Sequence, residues 1–360
     1  MKSLKRIMAV ALALVFVVTV FAGCHKKNET AVKIGDYKFT SGYYSCALVF
    51  ADIEGRNEVN EQFEKDGKDT TDIDYLKQKI DGKSYEKWVK NKAIEILKEN
   101  AGYKALCKEK GFKMTADNKS TSESYANSNW DYMGYADLFT ANGVSKETYL
   151  KFTLDSYYSQ IYFDGIYGKD GTNPISEEEL KTTLKDKFCL IDRISVDTTD
   201  LEDEDIAAKK EQLNGYLEKL NNGASFADIF VEYDLAEGKE EARNVTPGDG
   251  KESPIDPNAE VVGDSESSMP CDYYDEITAM QIGENKIIEA DNSLVLVKKL
   301  DVMSDGYYLT QYDETLRSEV VGDKADEEAR KKADELGVTE IKKAVNLFKV
   351  KNITYPEQES

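Results

Sequence analysis

Leu217-Glu218-Lys219-Leu220-Asn221-Asn222-Gly223-Ala224-Ser225-Phe226-Ala227-Asp228-Ile229 contains a helix end, a stop and a new helix start in one short run. Asn222-Gly223 ends the helix expected over 203–221, because glycine accepts the left-handed backbone that closes a last turn. Ser225 then offers a side-chain oxygen to the free N–H groups of the next helix. On the N-terminal side, Phe188 to Val196 is rich in β-branched and apolar residues, interrupted by Asp192, Arg193 and Ser195, and reads as a strand. On the C-terminal side, residues 244–271 hold four of the six prolines and read as a long irregular loop. A helix over 273–281 follows, then strands at Ile287–Ile288 and Leu294–Leu300. The middle of the chain is therefore a self-contained α+β unit in the order β-α-α-loop-α-β-β.

The flanks have a different style. Val32 to Phe39 alternates apolar and polar residues as a short strand does, and Thr40 or Ser41 caps a helix carrying Tyr44, Leu48 and Phe50. Residues 55–83 are polar and read as a loop with a short helix near Tyr75–Ile80. From Ser84, Trp88, Val89, Ala93, Ile96, Leu97, Ala101 and Ala105 recur at helical spacing until Gly111. Residues 114–128 have little apolar content and are expected to be mobile. A Tyr/Phe-rich helical hairpin turns at Gly143, and its second helix runs from Ser145 to about Tyr167. Asn173-Pro174-Ile175-Ser176-Glu177-Glu178-Glu179 marks a boundary with a capping box, and residues 307–320 and 325–348 return to helix. The expected fold class is α+β: a discontinuous all-helical domain (32–175 and 303–355) with an α+β domain (176–302) inserted in it.

Residues 1–23 carry Lys2, Lys5 and Arg6, an apolar run from Ile7 to Ala22, and Gly23 before Cys24. This is the pattern of a secretory signal, too short for a spanning helix. Phe21-Ala22-Gly23-Cys24 resembles the lipobox of bacterial lipoproteins, which implies cleavage before Cys24, lipidation of that cysteine, and a tether over 24–31. The expected location is the outer face of the cytoplasmic membrane, reached through a lipid anchor. The chain of 360 residues has 69 acidic against 47 basic residues, a net charge of −22. Loss of the leader removes three basic residues and no acid, leaving −25. Such a charge argues against nucleic acid as a partner and against an electrostatic grip on anionic lipid.

The other cysteines, Cys46, Cys107, Cys189 and Cys271, are far apart and have no companion histidines, so no zinc site is expected. Their pairing is open, with buried free thiols as one outcome and disulfides as another. The only histidine is His25, in the tether. Ser-His-Asp, Cys-His and imidazole–metal chemistry are thereby excluded from the folded body. No cofactor is expected. The acidic run Asp197–Asp205 lacks the order of an EF-hand loop and is better read as acids at a helix start.

The middle segment resembles the parvulin (PpiC-type) peptidyl-prolyl isomerase domain. The resemblance rests on the 217–229 run, the strand Leu190–Val196, the turn Pro247-Gly248-Asp249-Gly250, the stretch Met269–Asn285 with Ile282-Gly283-Glu284, and the closing strand Leu294–Asp301. The flanks resemble the helical chaperone domain of SurA/PrsA-type foldases at Trp88–Gly111, Gly143-Val144-Ser145 and Ile175–Leu180. This likeness implies an extracytoplasmic folding factor whose partners are unfolded or newly exported proteins. Parvulins are understood to hold the twisted prolyl amide with an apolar pocket and a polar cluster of two histidines and an Asp or Cys. Here the histidine positions fall on Arg193 and Val295, and the Asp/Cys position near Ala236, with Asp234 and Glu237 close by.

Arginine is permanently charged and donates only, so it does not replace imidazole. Isomerase activity is therefore expected to be weak or absent, with an active isomerase as the alternative. Phe226, Met269 and Tyr273 are candidates for a surviving peptide-binding recess, or else are core residues. The rings of Tyr149, Phe152, Tyr157, Tyr158, Tyr162, Phe163 and Tyr167 are candidates for a client-binding face, or else pack against 307–348. A solute- or peptide-binding lipoprotein would show two lobes of alternating strands and helices, a rhythm this chain lacks. A serine hydrolase is disfavoured because the chain has no G-x-S-x-G elbow.

Overall fold

The computed structural model describes residues 29–356 apart from 266, 291 and 305. The leader, Cys24 and His25 lie outside the described residues. Contacts divide the chain into two compact units, one of residues up to Ile166 together with those from Asp323, the other Tyr167–Gly322. The second unit thus extends past both ends of the expected 176–302 insert.

In the first unit, strands β1 (Thr30–Ile34) and β2 (Tyr37–Thr40) form a hairpin around Gly35. The unit is therefore not all-helical, and the expected tether ends earlier than 31, since Ala31 is fully buried. Thr40 caps helix α1 (Ser41–Lys65) with its side chain. This helix continues through the stretch read as loop from 55, because Gly55 and Val59 keep it against the core. After a short hairpin of β3 (Lys79–Ile80) and β4 (Lys83–Ser84), helix α2 (Tyr85–Lys110) ends at Gly111, which adopts φ 78°. Most of the 114–128 stretch falls in α3 (Ala116–Tyr132), opened by a reciprocal Thr115–Asn118 capping box. Few apolar residues sufficed, because Ser122, Ala126 and Trp130 recur on one buried face.

Helix α4 (Tyr135–Ala141) follows, and the expected 145–167 helix is broken at Tyr157 into α5 (Lys146–Ser156) and α6 (Tyr158–Tyr167). The rings of Tyr149 and Phe152 point into the core beside Phe50, Phe139 and Trp130, so α5 presents no aromatic face to solvent. Tyr162 bonds Glu328 through its hydroxyl.

The second unit begins with α7 (Glu177–Lys187), whose Ser176–Glu179 capping box is formed in full. Strand β5 (Phe188–Asp197) follows, then α8 (Asp203–Asn221) and α9 (Phe226–Ala236), the latter capped by Ser225. The 244–271 stretch, read as loop throughout, contains the short strand β6 (Glu260–Gly263). Next come α10 (Tyr274–Ala279), β7 (Asn285–Ala290) and β8 (Ser293–Leu300). The strands form one antiparallel sheet in the order β6-β5-β8-β7. Helices α11 (Tyr307–Gln311) and α12 (Asp313–Val321) belong here as well, since Tyr308 and Leu316 share a core with Leu180 and Leu184 of α7. The expected helical return at 303 therefore starts only at 323.

Back in the first unit, α13 (Lys324–Leu336) buries Ala325, Ala329 and Ala333 at i, i+4 and i+8. This small-residue stripe lies against α2 at Gly102. A Cβ on Gly102 would stand 2.8 Å from the Ala329 Cα and nearer still to its carbonyl. Strand β9 (Val338–Glu340), in place of continuous helix over 325–348, pairs with β1 and completes a three-stranded sheet, and α14 (Lys342–Val345) follows.

Candidate functional site

Side chains on β5 alternate between two faces, as the period of a strand requires. Cys189 and Ile191 share a core with Val295, Val297, Ile277 and Cys271. Leu190, Ile194 and Val196 join cores on the other face, with α7 and α12 or with α8 and α9. Arg193 follows Ile191 on the first face, directly across from Val297, while Val295 pairs with Ser195. Arg193 and Val295 thus stand diagonally on facing strands.

The Arg193 guanidinium is held on two sides. One nitrogen donates to the Tyr273 hydroxyl at 2.7 Å, and another meets Glu260 at 2.8 Å. Tyr273 comes from the turn leading into α10, and Glu260 from β6, so three separate elements converge. Burial pushes the Tyr273 hydroxyl up, against the pull of Arg193. Burial likewise raises the Cys189 and Cys271 thiols in the core beneath, and pushes the Tyr274 hydroxyl up to about 12. Thiols raised in this way stay protonated near neutral pH and are poor nucleophiles. All four cysteines from Cys46 to Cys271 are free and buried.

Val295 is fully buried and contributes no polar atom. Ala236 is exposed at the end of α9, a helix whose Phe226, Ile229 and Phe230 pack on the opposite side of the sheet. Its neighbour Asp234 is fully buried and wholly engaged. Arg243 grips it through Nε at 2.8 Å and Nη2 at 2.7 Å, the Arg243 backbone N–H donates at 2.9 Å, and Lys239 donates at 2.7 Å. These donors hold the Asp234 carboxyl well below the ordinary range. Glu237 is tied to Lys209. Neither carboxylate is placed with Arg193.

Of the three recess candidates, Phe226 lies in the core under α8 and α9, Met269 against the core of α7 and α12, and Tyr273 against the Cys189 core. The structure brings only Tyr273 to Arg193 and disperses the rest. Glu260, the second partner of Arg193, was missed because its strand sits inside a proline-rich stretch. The alternation Glu260-Val261-Val262-Gly263 was the available signal.

The arrangement offers a guanidinium already paired with the Glu260 carboxylate and donating to the Tyr273 hydroxyl. Among the described residues no cluster of His, Cys, Asp and Glu is suited to hold a metal ion, and no helix is long and apolar enough to cross a membrane.

No family model matches the sequence, and no curated protein matches it. Solved structures similar to the chain include proteins titled as foldases. The foldase protein PrsA of Streptococcus pneumoniae aligns with TM-score 0.39 and 11% identity over 71% of this chain and 88% of that one. PrsA of Lactococcus lactis aligns with TM-score 0.37 and 11% identity over 88% of this chain and 96% of that one. PrsA of Bacillus subtilis aligns with TM-score 0.27 and 17% identity over 68% of this chain and 87% of that one.

Proposed function

We propose that the chain is a lipid-anchored extracytoplasmic folding factor that holds unfolded or newly exported polypeptide and does not turn over prolyl bonds. The observation that carries this reading is the Arg193 site. An isomerase must bind the twisted amide better than either planar form. Arg193 is a permanent cation engaged by Tyr273 and Glu260, its diagonal neighbour is a valine, and no residue after His25 is a histidine. The parvulin resemblance of the 217–229 run and of the strands around it supplies the scaffold for the reading, and the 21–24 lipobox resemblance supplies the anchor.

A holding role needs exposed apolar surface. Tyr125, Tyr132 and Met133 offer it at the C-terminal half and end of α3, at 63, 84 and 68% exposure. The i, i+7 spacing sets Tyr125 and Tyr132 along one helix face, and Met133 follows at the helix end. Tyrosine suits loose contact, since it pairs an apolar ring with a wet tip. Two assays test the proposal together. A protease-coupled prolyl peptide assay is expected to show no acceleration over the uncatalysed rate. Aggregation of a chemically unfolded secreted protein is expected to slow in the presence of the chain. Turnover in the first assay sinks the non-catalytic reading, and unchanged aggregation sinks the holding role.

A further inference from the structure

On the face of the β5–β8 sheet opposite Arg193, a polar band separates two apolar cores. Asp192 of β5 pairs with Lys298 of β8, and Lys298 pairs with Asn285 of β7, so the three stand side by side across the strands. Leu190 and Leu300 flank the band on one side, Ile194 and Leu296 on the other. Asp192 is 1% exposed, and its Oδ1 has no hydrogen-bond partner; the buried Asn285 Oδ1 has none either. Native interiors rarely leave such acceptors unsatisfied.

The loop 244–259 is seated on both cores. Val245 packs against the α8–α9 core and Ala259 against the α7–α12 core. Between them, Asp256 brings a second carboxyl beside Asp192. The loop is cross-tied at its base, where the Asn258 amide donates to the Asn244 carbonyl at 2.8 Å. The charged groups acting on Asp192 are Asp256 from the loop, Glu260 from β6 and Lys298 from β8.

We infer that Asp192 and Asp256 form a proton-dependent latch that seats the 244–259 loop on the sheet when Asp192 is protonated and loosens it when the proton is lost. A neutral Asp192 donates its hydroxyl to the half-buried Asp256, which gives the buried carboxyl a partner. An ionised Asp192 faces a second carboxylate and leaves a buried charge with an empty acceptor. Burial and then the Asp256 charge push the Asp192 carboxyl up to about 7. With the loop open, the group returns to an ordinary value near ~3.9. The seated state therefore binds the proton more tightly, and raising the pH towards 7 favours opening.

Hydrogen exchange on the full chain tests this. The opening constant for amides of residues 256–262, corrected for the chemical exchange rate, is expected to rise on the order of fifty-fold from pH 5 to pH 7 and to level off above. Amides of α2 in the first unit are expected to show no such rise. Asp192→Asn should abolish the pH response. Asp256→Asn should move its midpoint to lower pH, because the neighbouring charge is gone. Infrared spectroscopy gives an independent reading on the unmodified chain: a protonated carboxyl band present at pH 6 and absent at pH 8. The inference is overturned by an unchanged response in Asp192→Asn, by an equal response in α2, or by absence of that band.

Discussion

Gly102→Ala is the perturbation that probes most sharply how the first unit closes. Alanine normally improves a helix interior by roughly 0.5–1 kcal/mol over glycine. At 102 the added methyl would lie 2.8 Å from the Ala329 Cα and press on its carbonyl, which is backbone and does not rotate away. Relief requires α13 to move off α2 by about the shortfall to ordinary van der Waals contact. That movement loosens the stripe of Ala325, Ala329 and Ala333, and strains the ties Tyr103–Asp326 and Arg330–Glu99. Overpacking of this kind costs about 1–3 kcal/mol or more. After the gain in helix propensity, a net loss of about 2 kcal/mol is expected, or a fall in Tm of ~4–8 °C. Both tryptophans, Trp88 and Trp130, are buried in the first unit, so their fluorescence reports that unit alone. Gly215→Ala on α8 serves as the contrast, since nothing lies within 4 Å of the added carbon, and it should stabilise the second unit slightly. A Gly102→Ala chain with an unchanged or higher tryptophan midpoint would refute the close-packing argument.

Asp234→Asn is expected to cost the second unit roughly 2 kcal/mol at pH 7, read by urea unfolding followed by circular dichroism. Because the folded carboxyl titrates below its unfolded value, the contribution of Asp234 is complete above pH ~4 and fades as pH falls further. The variant should thus lose less stability than the parent on acidification below that point. Tyr355→Phe removes the bond to Asp52 at 2.8 Å but leaves Tyr85 and Arg56 on that carboxylate. A loss of about 1 kcal/mol in the tryptophan midpoint is expected. Tyr132→Ser with Met133→Ser should reduce suppression of client aggregation at least about two-fold while leaving that midpoint within about 0.5 kcal/mol, since both side chains are exposed.

Local chemistry made much of the fold legible. Ser176–Glu179 and Ser225–Asp228 are capping boxes written within four residues, and Gly111 ends α2 for reasons contained in its own φ. Strand β5 announced itself through Cys189-Leu190-Ile191 and Ile194, which are apolar on both faces. The conspicuous absence of imidazole beyond His25 also needed no coordinates. These features depend on neighbours along the chain, which a sequence states directly.

Tertiary structure decided the rest. Strands β6 and β9 have four and three residues, and each exists because a distant strand supplies its hydrogen bonds: Leu190 opposite Val261, and Lys33 opposite Thr339. Helices α11 and α12 were rightly read as helical, but their apolar faces found α7 in the second unit, not the first. The partners of Arg193, the exile of Phe226 and Met269 to other cores, and the meeting of Asp192 with Asp256 all follow from which strand lies beside which. Short-range order is set by each residue's own caps and periodicity, whereas a site is assembled from residues whose separation along the chain carries no information about their separation in space.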